Sequence, residues 1–102
     1  MNLDQTLINQ IIEIVKRRKK VSNLVLFGSR ATNNAKRTSD IDLAVFGKDL
    51  PDDDVNLIRN DLEEDVLTPL KFDVVHFDTI TKESFQNDIL NEGIVIYESK
   101  TY

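Results

Sequence analysis

Two neighbouring segments decide how this chain folds: Leu26-Phe27-Gly28-Ser29-Arg30-Ala31 and, after a spacer of seven residues, Ser39-Asp40-Ile41-Asp42-Leu43-Ala44-Val45. The first segment ends an apolar run, which predicts a short buried strand over residues 23–27. The second alternates polar and apolar side chains and predicts another strand over residues 41–46. A glycine and a serine therefore follow the first predicted strand directly, and two aspartates lie at the beginning of the second.

Asp40 and Asp42 form the first candidate site. Side chains two residues apart in a strand point to the same face, and their Cα atoms lie roughly 6.5 to 7 Å apart. Carboxylates at this spacing can share one Mg²⁺ ion or hold two, while Ile41, Leu43 and Val45 anchor the opposite face in the core. Like charges on one face repel each other, which favours a metal site over the alternative of two merely solvated aspartates.

Gly28 and Ser29 form the second candidate site. Glycine lets the backbone approach a phosphate closely, and serine can cap a turn whose N–H groups receive phosphate oxygens. An ordinary helix cap is the alternative for this pair. The chain contains no P-loop motif, so any phosphate site must have this simpler form.

Asp73 is the third candidate, on a strand predicted over residues 70–77. It lies between Phe72 and Val74, and a charged side chain among apolar neighbours is seldom buried without a partner. A metal ion is one such partner, and a nearby lysine or arginine is the alternative. We interpret His76, the only histidine, as a structural residue of the same strand.

Helices complete the pattern. Apolar residues at helical spacing predict helices over residues 3–16, 51–67 and 81–92, and a last strand over residues 94–97. Gly93 is the expected cap of the third helix. We therefore predict a single domain over residues 1–102, of the α/β (α+β) class, with one mixed β-sheet and helices packed on it.

Charged runs lie beside two of these helices. We place Pro51 in the first turn of the second helix, where Asp52, Asp53 and Asp54 complement the helix dipole rather than bind metal. The cations at residues 17–20 follow the first helix. They either complement its dipole or dock an acidic partner.

The composition narrows the function classes. A net charge of -5 argues against stable binding of DNA or RNA through the backbone. The absence of cysteine excludes disulfides, thiol nucleophiles and zinc–cysteine sites, and it suits a reducing cytoplasm, where we expect the protein. No leader pattern and no apolar run of about 18 residues is found, so we expect no membrane association.

Together the motifs resemble those of the DNA polymerase beta type of nucleotidyltransferases, and among them the minimal nucleotidyltransferase (MNT) antitoxins. The shared pattern is Gly-Ser, a spacer, Asp-x-Asp on one strand and a third carboxylate on a later strand. Here ten residues separate Ser29 from Asp40, and Asp73 stands in the third position. The ending Asn91-Glu92-Gly93-Ile94-Val95-Ile96-Tyr97 is also similar, so the resemblance covers nearly the whole chain.

The resemblance implies a polymerase-beta-like fold and an enzyme that transfers AMP from ATP to a hydroxyl group. It implies two Mg²⁺ ions held by the catalytic residues Asp40, Asp42 and Asp73, with Asp73 helping to deprotonate the acceptor. It also implies that Gly28, Ser29 and Arg30 bind the nucleotide. Similar MNT proteins modify a tyrosine of a HEPN-domain RNase toxin, so the implied partner is such a toxin. A homo-oligomer and a hetero-oligomer with the toxin both remain open.

One departure from the pattern concerns the spacer. Relatives often carry Arg-Gly after the alanine, where this chain has Thr32-Asn33-Asn34. Asparagine tolerates positive φ, so we expect the turn to be kept. Lys36 and Arg37 are candidates to replace the missing arginine at the triphosphate.

Two other functions remain open. One is transfer to a small acceptor, such as an aminoglycoside-type drug, at a site completed by a partner. The other is a non-catalytic module that blocks a toxin by contact alone. The presence of Gly28, Ser29 and all three aspartates favours an enzyme, because a pure binding module has no need of them.

Overall fold

The structure, a computed structural model, describes residues 1–100. Three helices and four strands alternate with two short 3₁₀ turns. In chain order they are α1 (Gln5–Val15), β1 (Asn23–Phe27), a turn (Gly28–Arg30), β2 (Ile41–Phe46), α2 (Asp52–Asp65), β3 (Phe72–His76), a turn (Phe77–Thr79), α3 (Glu83–Glu92) and β4 (Ile94–Glu98). No helix in residues 1–100 is both long and apolar enough to cross a membrane.

The four strands form one mixed sheet in the order β3-β2-β1-β4. β1 is antiparallel to both β2 and β4, whereas β2 and β3 are parallel. A parallel pair needs a crossover connection, and α2 supplies it. The predicted mixed sheet with packed helices is therefore confirmed, and β2, which carries Asp42, is an internal strand.

The larger core lies between one face of the sheet and the helices α1 and α2. The alternation predicted for β2 is confirmed, because Ile41, Leu43 and Val45 are fully buried on this face. Ile58 and Leu62 of α2 pack there with no exposed surface. Each such side chain contributes about 1.5 to 3 kcal/mol by its burial, so this face holds β2 firmly in place.

A smaller apolar cluster covers part of the opposite face. Its buried members are Val25, Phe27, Ala44 and Ile89, the last from α3. The rings of Phe27 and Phe85 meet edge to face, with centroids 5.7 Å apart. Because Asp42 is two residues before Ala44, it lies on this same face, at the margin of the smaller cluster.

The helix ends differ from prediction by one to a few residues. α2 begins at Asp52, so Pro51 is not inside the first turn but precedes it as an extended cap (φ -71°, ψ 151°). Asp52, Asp53 and Asp54 occupy the first turn, as predicted. Gly93 caps α3, as predicted, and a Cβ there would lie 2.3 Å from the Ile89 carbonyl oxygen.

Two of the four cations after α1 form ion pairs that the sequence did not predict. Arg18 Nη2 lies 3.4 Å from Asp61 Oδ2, and Arg17 Nη1 lies 3.9 Å from Asp65 Oδ2. Both acidic partners are on α2, so these arginines connect the two helices. The Arg17–Asp65 pair is exposed, and such a pair contributes at most about 1 kcal/mol.

Candidate active site

Asp42 occupies the centre of the candidate site. It is in register with Phe27, the last residue of β1, and with Asp73 on the parallel strand β3. Asp40 immediately precedes β2. β1 ends where β2 and β3 begin. The Gly-Ser turn, Asp42 and Asp73 therefore lie together at one end of these three strands.

The surroundings of Asp42 at this end of the strands raise its pKa from 3.8 to about 6. Burial of the carboxylate is the largest cause, followed by the negative charges of Asp73 and then Asp40, while Arg30 acts in the opposite direction. Burial and like charge both disfavour an ionised carboxylate. The three aspartates thus interact electrostatically, and a cation between them would relieve the repulsion.

The turn after β1 touches Asp42 directly. Gly28 has a φ of +72°, and a Cβ placed there would lie 2.2 Å from Asp42 Oδ2. Its carbonyl oxygen accepts hydrogen bonds from the N–H groups of Ala31 and Thr32. Glycine is therefore required both by the backbone conformation and by the closeness of the carboxylate.

The spacer that follows keeps its turn, as expected from its asparagines. Asn33 has a φ of +62°, a conformation that asparagine adopts more readily than most residues. The Asn34 N–H donates to the Ser29 carbonyl oxygen at 2.9 Å. The Thr32-Asn33-Asn34 sequence thus folds back onto the Gly-Ser turn.

The contacts of Arg30 indicate a structural role, whereas the resemblance implied that it binds the nucleotide. Only 7% of the residue is exposed. Its Nε and Nη2 donate to the Ser39 carbonyl oxygen at 3.1 and 2.8 Å, and Nη1 donates to the Asn2 carbonyl oxygen at 2.8 Å. Nη2 is also within 3.5 Å of the carbonyl oxygens of Lys36 and Arg37. The guanidinium therefore holds the backbone that leads into Asp40.

Asp73 is exposed rather than buried among its apolar neighbours, which corrects the reasoning that singled it out. Phe72 and Val74 point into the larger core, so the residue between them points to the other face, beside Asp42. Within residues 1–100, no lysine or arginine forms an ion pair with it. The alternative of a basic partner therefore has no support in this part of the chain.

The aspartates do not form a preassembled metal cage. In residues 1–100, no three histidine or acidic side chains are gathered closely enough to hold a metal ion as they stand. Their donor chemistry nevertheless fits Mg²⁺, which prefers oxygen ligands and takes only one or two carboxylates from a protein. Asp40 and Asp73 are exposed, and they are free to rotate toward Asp42.

His76 faces away from this site. Its Nδ1 lies 2.6 Å from Asp52 Oδ1, at the start of α2. It shares the α2 side of β3 with Val74, whereas Asp73 is on the other side. This position agrees with the structural role predicted for the histidine.

A family model described as "Polymerase beta, Nucleotidyltransferase" matches residues 9–102. The chain belongs to this family. The nucleotidyltransferase family predicted from the motifs is thus confirmed. Among curated proteins, none has a significantly similar sequence.

Solved structures share the nucleotidyltransferase fold at low identity. A toxin–antitoxin complex with AMP-PNP has a TM-score of 0.75 and 22% identity over 91% of this chain and 74% of that one. A tri-AMPylated HEPN toxin of Shewanella oneidensis in complex with MNT antitoxin has a TM-score of 0.71 and 20% identity, over 96% of this chain and 75% of that one. A toxin–antitoxin MntA–HepT structure has a TM-score of 0.71 and 20% identity, over 95% of this chain and 74% of that one. These likenesses confirm the polymerase-beta-like fold.

Sequence reasoning missed one residue beside the nucleotidyltransferase motif. Lys71 lies directly opposite Asp40, because the register pair Ile41–Phe72 follows one residue later and the Ile41 N–H donates to the Lys71 carbonyl oxygen at 2.8 Å. Lys71 is also two residues before Asp73, so alternation places both on one face. The spacing of Lys71 from Asp73 is visible in the sequence, but its position opposite Asp40 follows only from the register of β2 and β3.

Proposed function

We propose that this chain is an Mg²⁺-dependent nucleotidyltransferase that moves AMP from ATP to a tyrosine hydroxyl of a HEPN-type RNase. In this proposal it acts in the cytoplasm as the antitoxin of that RNase. Membership of the nucleotidyltransferase family supports the transfer, and the fold shared with MNT antitoxins supports the partner.

The observation that carries the proposal is the crowded carboxylate at Asp42. Burial and two neighbouring aspartates raise the pKa of Asp42 to about 6, which means that the ionised carboxylate is unfavourable in the folded chain. A purely structural role does not require such an arrangement, whereas active sites often contain it. Asp40 and Asp42 would hold Mg²⁺, with Asp73 beside them. When bound, Mg²⁺ supplies charge stabilisation for the phosphates and for the departing pyrophosphate.

The residues of the chain supply positioning and proton transfer. The turn at Gly28 and Ser29 would receive the triphosphate next to Asp42. The acceptor oxygen then attacks the α-phosphorus, and the bond from that phosphorus to the bridging oxygen breaks, releasing pyrophosphate. The hydroxyl proton passes to Asp73, which is exposed and can face the acceptor.

Intact-mass spectrometry tests this function. The chain is co-expressed with a HEPN-domain RNase of the same genome, and we expect the RNase to gain the mass of one or more AMP groups on tyrosine. The double variant Asp40→Asn/Asp42→Asn should leave the RNase unmodified and active, because it removes both proposed Mg²⁺ ligands. The fold should be kept, because neither side chain belongs to an apolar core cluster. The variant Asp49→Asn, in an exposed turn, serves as the control and should behave as the parent does.

Two results would contradict the proposal. An unmodified RNase that the parent and the double variant silence equally well would show inhibition by contact. Modification of a small aminoglycoside but not of the RNase would show a different acceptor class.

A further inference from the structure

The nucleotide and the acceptor must approach Asp42 from opposite sides. Nucleotidyl transfer places the attacking and leaving oxygens roughly in line. The Gly28 turn, at the end of β1, lies on one side of Asp42, and β3 lies on the other. With the triphosphate at the Gly28 turn, as proposed above, pyrophosphate would leave toward that turn and the acceptor would enter from the side of β3, which is an edge strand.

An open groove of about 630 Å³ lies next to the start of β3, between the segments that lead into β2 and β3. We call it the β3-edge groove, and its lining residues are Arg37, Thr38, Asp40, Pro69, Leu70 and Lys71. Asp40 forms its inner end and links it to the candidate active site. The groove is therefore the surface that an acceptor molecule meets before its hydroxyl reaches the α-phosphate.

Two cations line this groove. Arg37 and Lys71 are exposed and form no ion pair within residues 1–100, although the chain has a net charge of -5. Arg37 belongs to the segment whose carbonyl oxygens Arg30 holds, so its backbone is fixed. Lys71 is fixed by the hydrogen bond between its carbonyl oxygen and Ile41.

We infer that the β3-edge groove binds an acidic segment of the acceptor protein, next to the hydroxyl that receives the nucleotide. Arg37 and Lys71 contact the carboxylates of that segment, and Pro69 and Leu70 offer apolar surface to the acceptor's aromatic ring. The inference rests on the proposed function for the direction of approach. It adds the chemistry by which the partner is chosen.

Binding of two fluorescent peptides tests the inference separately from catalysis. Each peptide carries one tyrosine, flanked by glutamates in the first and by lysines in the second. Fluorescence anisotropy is measured with Mg²⁺ present, because Mg²⁺ offsets the charge of Asp40 at the inner end of the groove. We expect the acidic peptide to bind about tenfold more tightly, the effect of two exposed ion pairs. The net negative charge of the chain alone would favour the basic peptide instead.

Charge reversal identifies the residues responsible. The variant Arg37→Glu/Lys71→Glu should lose the preference for the acidic peptide. The single variant Lys71→Glu leaves Arg37 in place, and it should weaken the preference while its affinity for ATP·Mg²⁺ stays at the parent value. The control Lys19→Glu/Lys20→Glu makes the same change in charge after α1 and should keep the preference. Both pairs are exposed, so circular dichroism should show an unchanged fold.

The outcomes separate this inference from the proposed function. Equal binding of both peptides by the parent, or an acidic preference that survives Arg37→Glu/Lys71→Glu, overturns the inference. A loss of ATP·Mg²⁺ affinity in that variant without a change in peptide binding also overturns it, because the cations then serve the nucleotide. If peptide preference behaves as expected but no AMP is ever transferred, the groove assignment stands and the proposed function fails.

Discussion

Replacing Asp42 by asparagine should make the protein more stable while removing its proposed activity. The rise in the pKa of Asp42 from 3.8 to about 6 means that the ionised carboxylate is held in the folded state at a cost in free energy. At full strength this rise corresponds to about 3 kcal/mol. Because the side chain is partly exposed, solvent screening reduces the expected stabilisation by Asp42→Asn to about 1 to 2 kcal/mol.

The effect should depend on pH in a defined direction. Between about pH 4 and pH 6 the folded chain keeps the Asp42 proton while the unfolded chain loses it, so the parent loses stability as the pH rises. Below about pH 4 both states are protonated, and Asp42→Asn should match the parent. Above about pH 6 the full difference should appear and remain constant.

Thermal and urea unfolding at several pH values measure this difference. At neutral pH we expect the melting temperature of Asp42→Asn to exceed that of the parent by about 5 to 15 °C, given the size of the chain. ATP·Mg²⁺ should stabilise the parent, by about 2.7 kcal/mol at a hundred times its dissociation constant, but not the variant. The control Asp49→Asn should change neither quantity. A variant that is less stable than the parent at neutral pH, or equally different at all pH values, would refute the electrostatic account of the site.

Two further substitutions test the frame around Asp42. Gly28→Ala should destabilise the fold by about 1 to 2 kcal/mol, because alanine is strained at the positive φ of this position. The added methyl group should also displace the Asp42 carboxylate and weaken ATP·Mg²⁺ binding in titration calorimetry. An unchanged affinity would show that the turn does not form the phosphate site. Arg30→Lys keeps the charge but cannot replace the planar set of donors, so urea unfolding should show a loss of about 1 to 3 kcal/mol; full stability in this variant would mean that the carbonyl contacts contribute little.

Much of the fold was predictable because short-range patterns determine it. The bounds of β1 and β2 agree with prediction, since an apolar run and a strict alternation each specify a strand. The helix ends were less certain, because a proline that precedes a helix and one inside its first turn have the same sequence signature. At Pro51 the difference was one residue.

The candidate site was predictable only in part, for a reason of spatial arrangement. Asp40 and Asp42 could be placed together from alternation, but the position of Asp73 depends on the parallel register of β2 and β3. The same register brings Lys71 opposite Asp40, and no local pattern shows it. The burial of Arg30 was also hidden, because its partners are carbonyl oxygens, which every residue carries.

The hydrogen bonds between Asn2 and Arg30 have a practical consequence for handling the protein. The Asn2 N–H donates to the Arg30 carbonyl oxygen at 2.7 Å, and the Ala35 N–H lies 3.4 Å from Asn2 Oδ1. An affinity tag added before Met1 would therefore emerge beside the segment that leads into Asp40. A tag at that position would distort the loop and weaken the measured ATP affinity, so a tag that is removed before assay is the better choice.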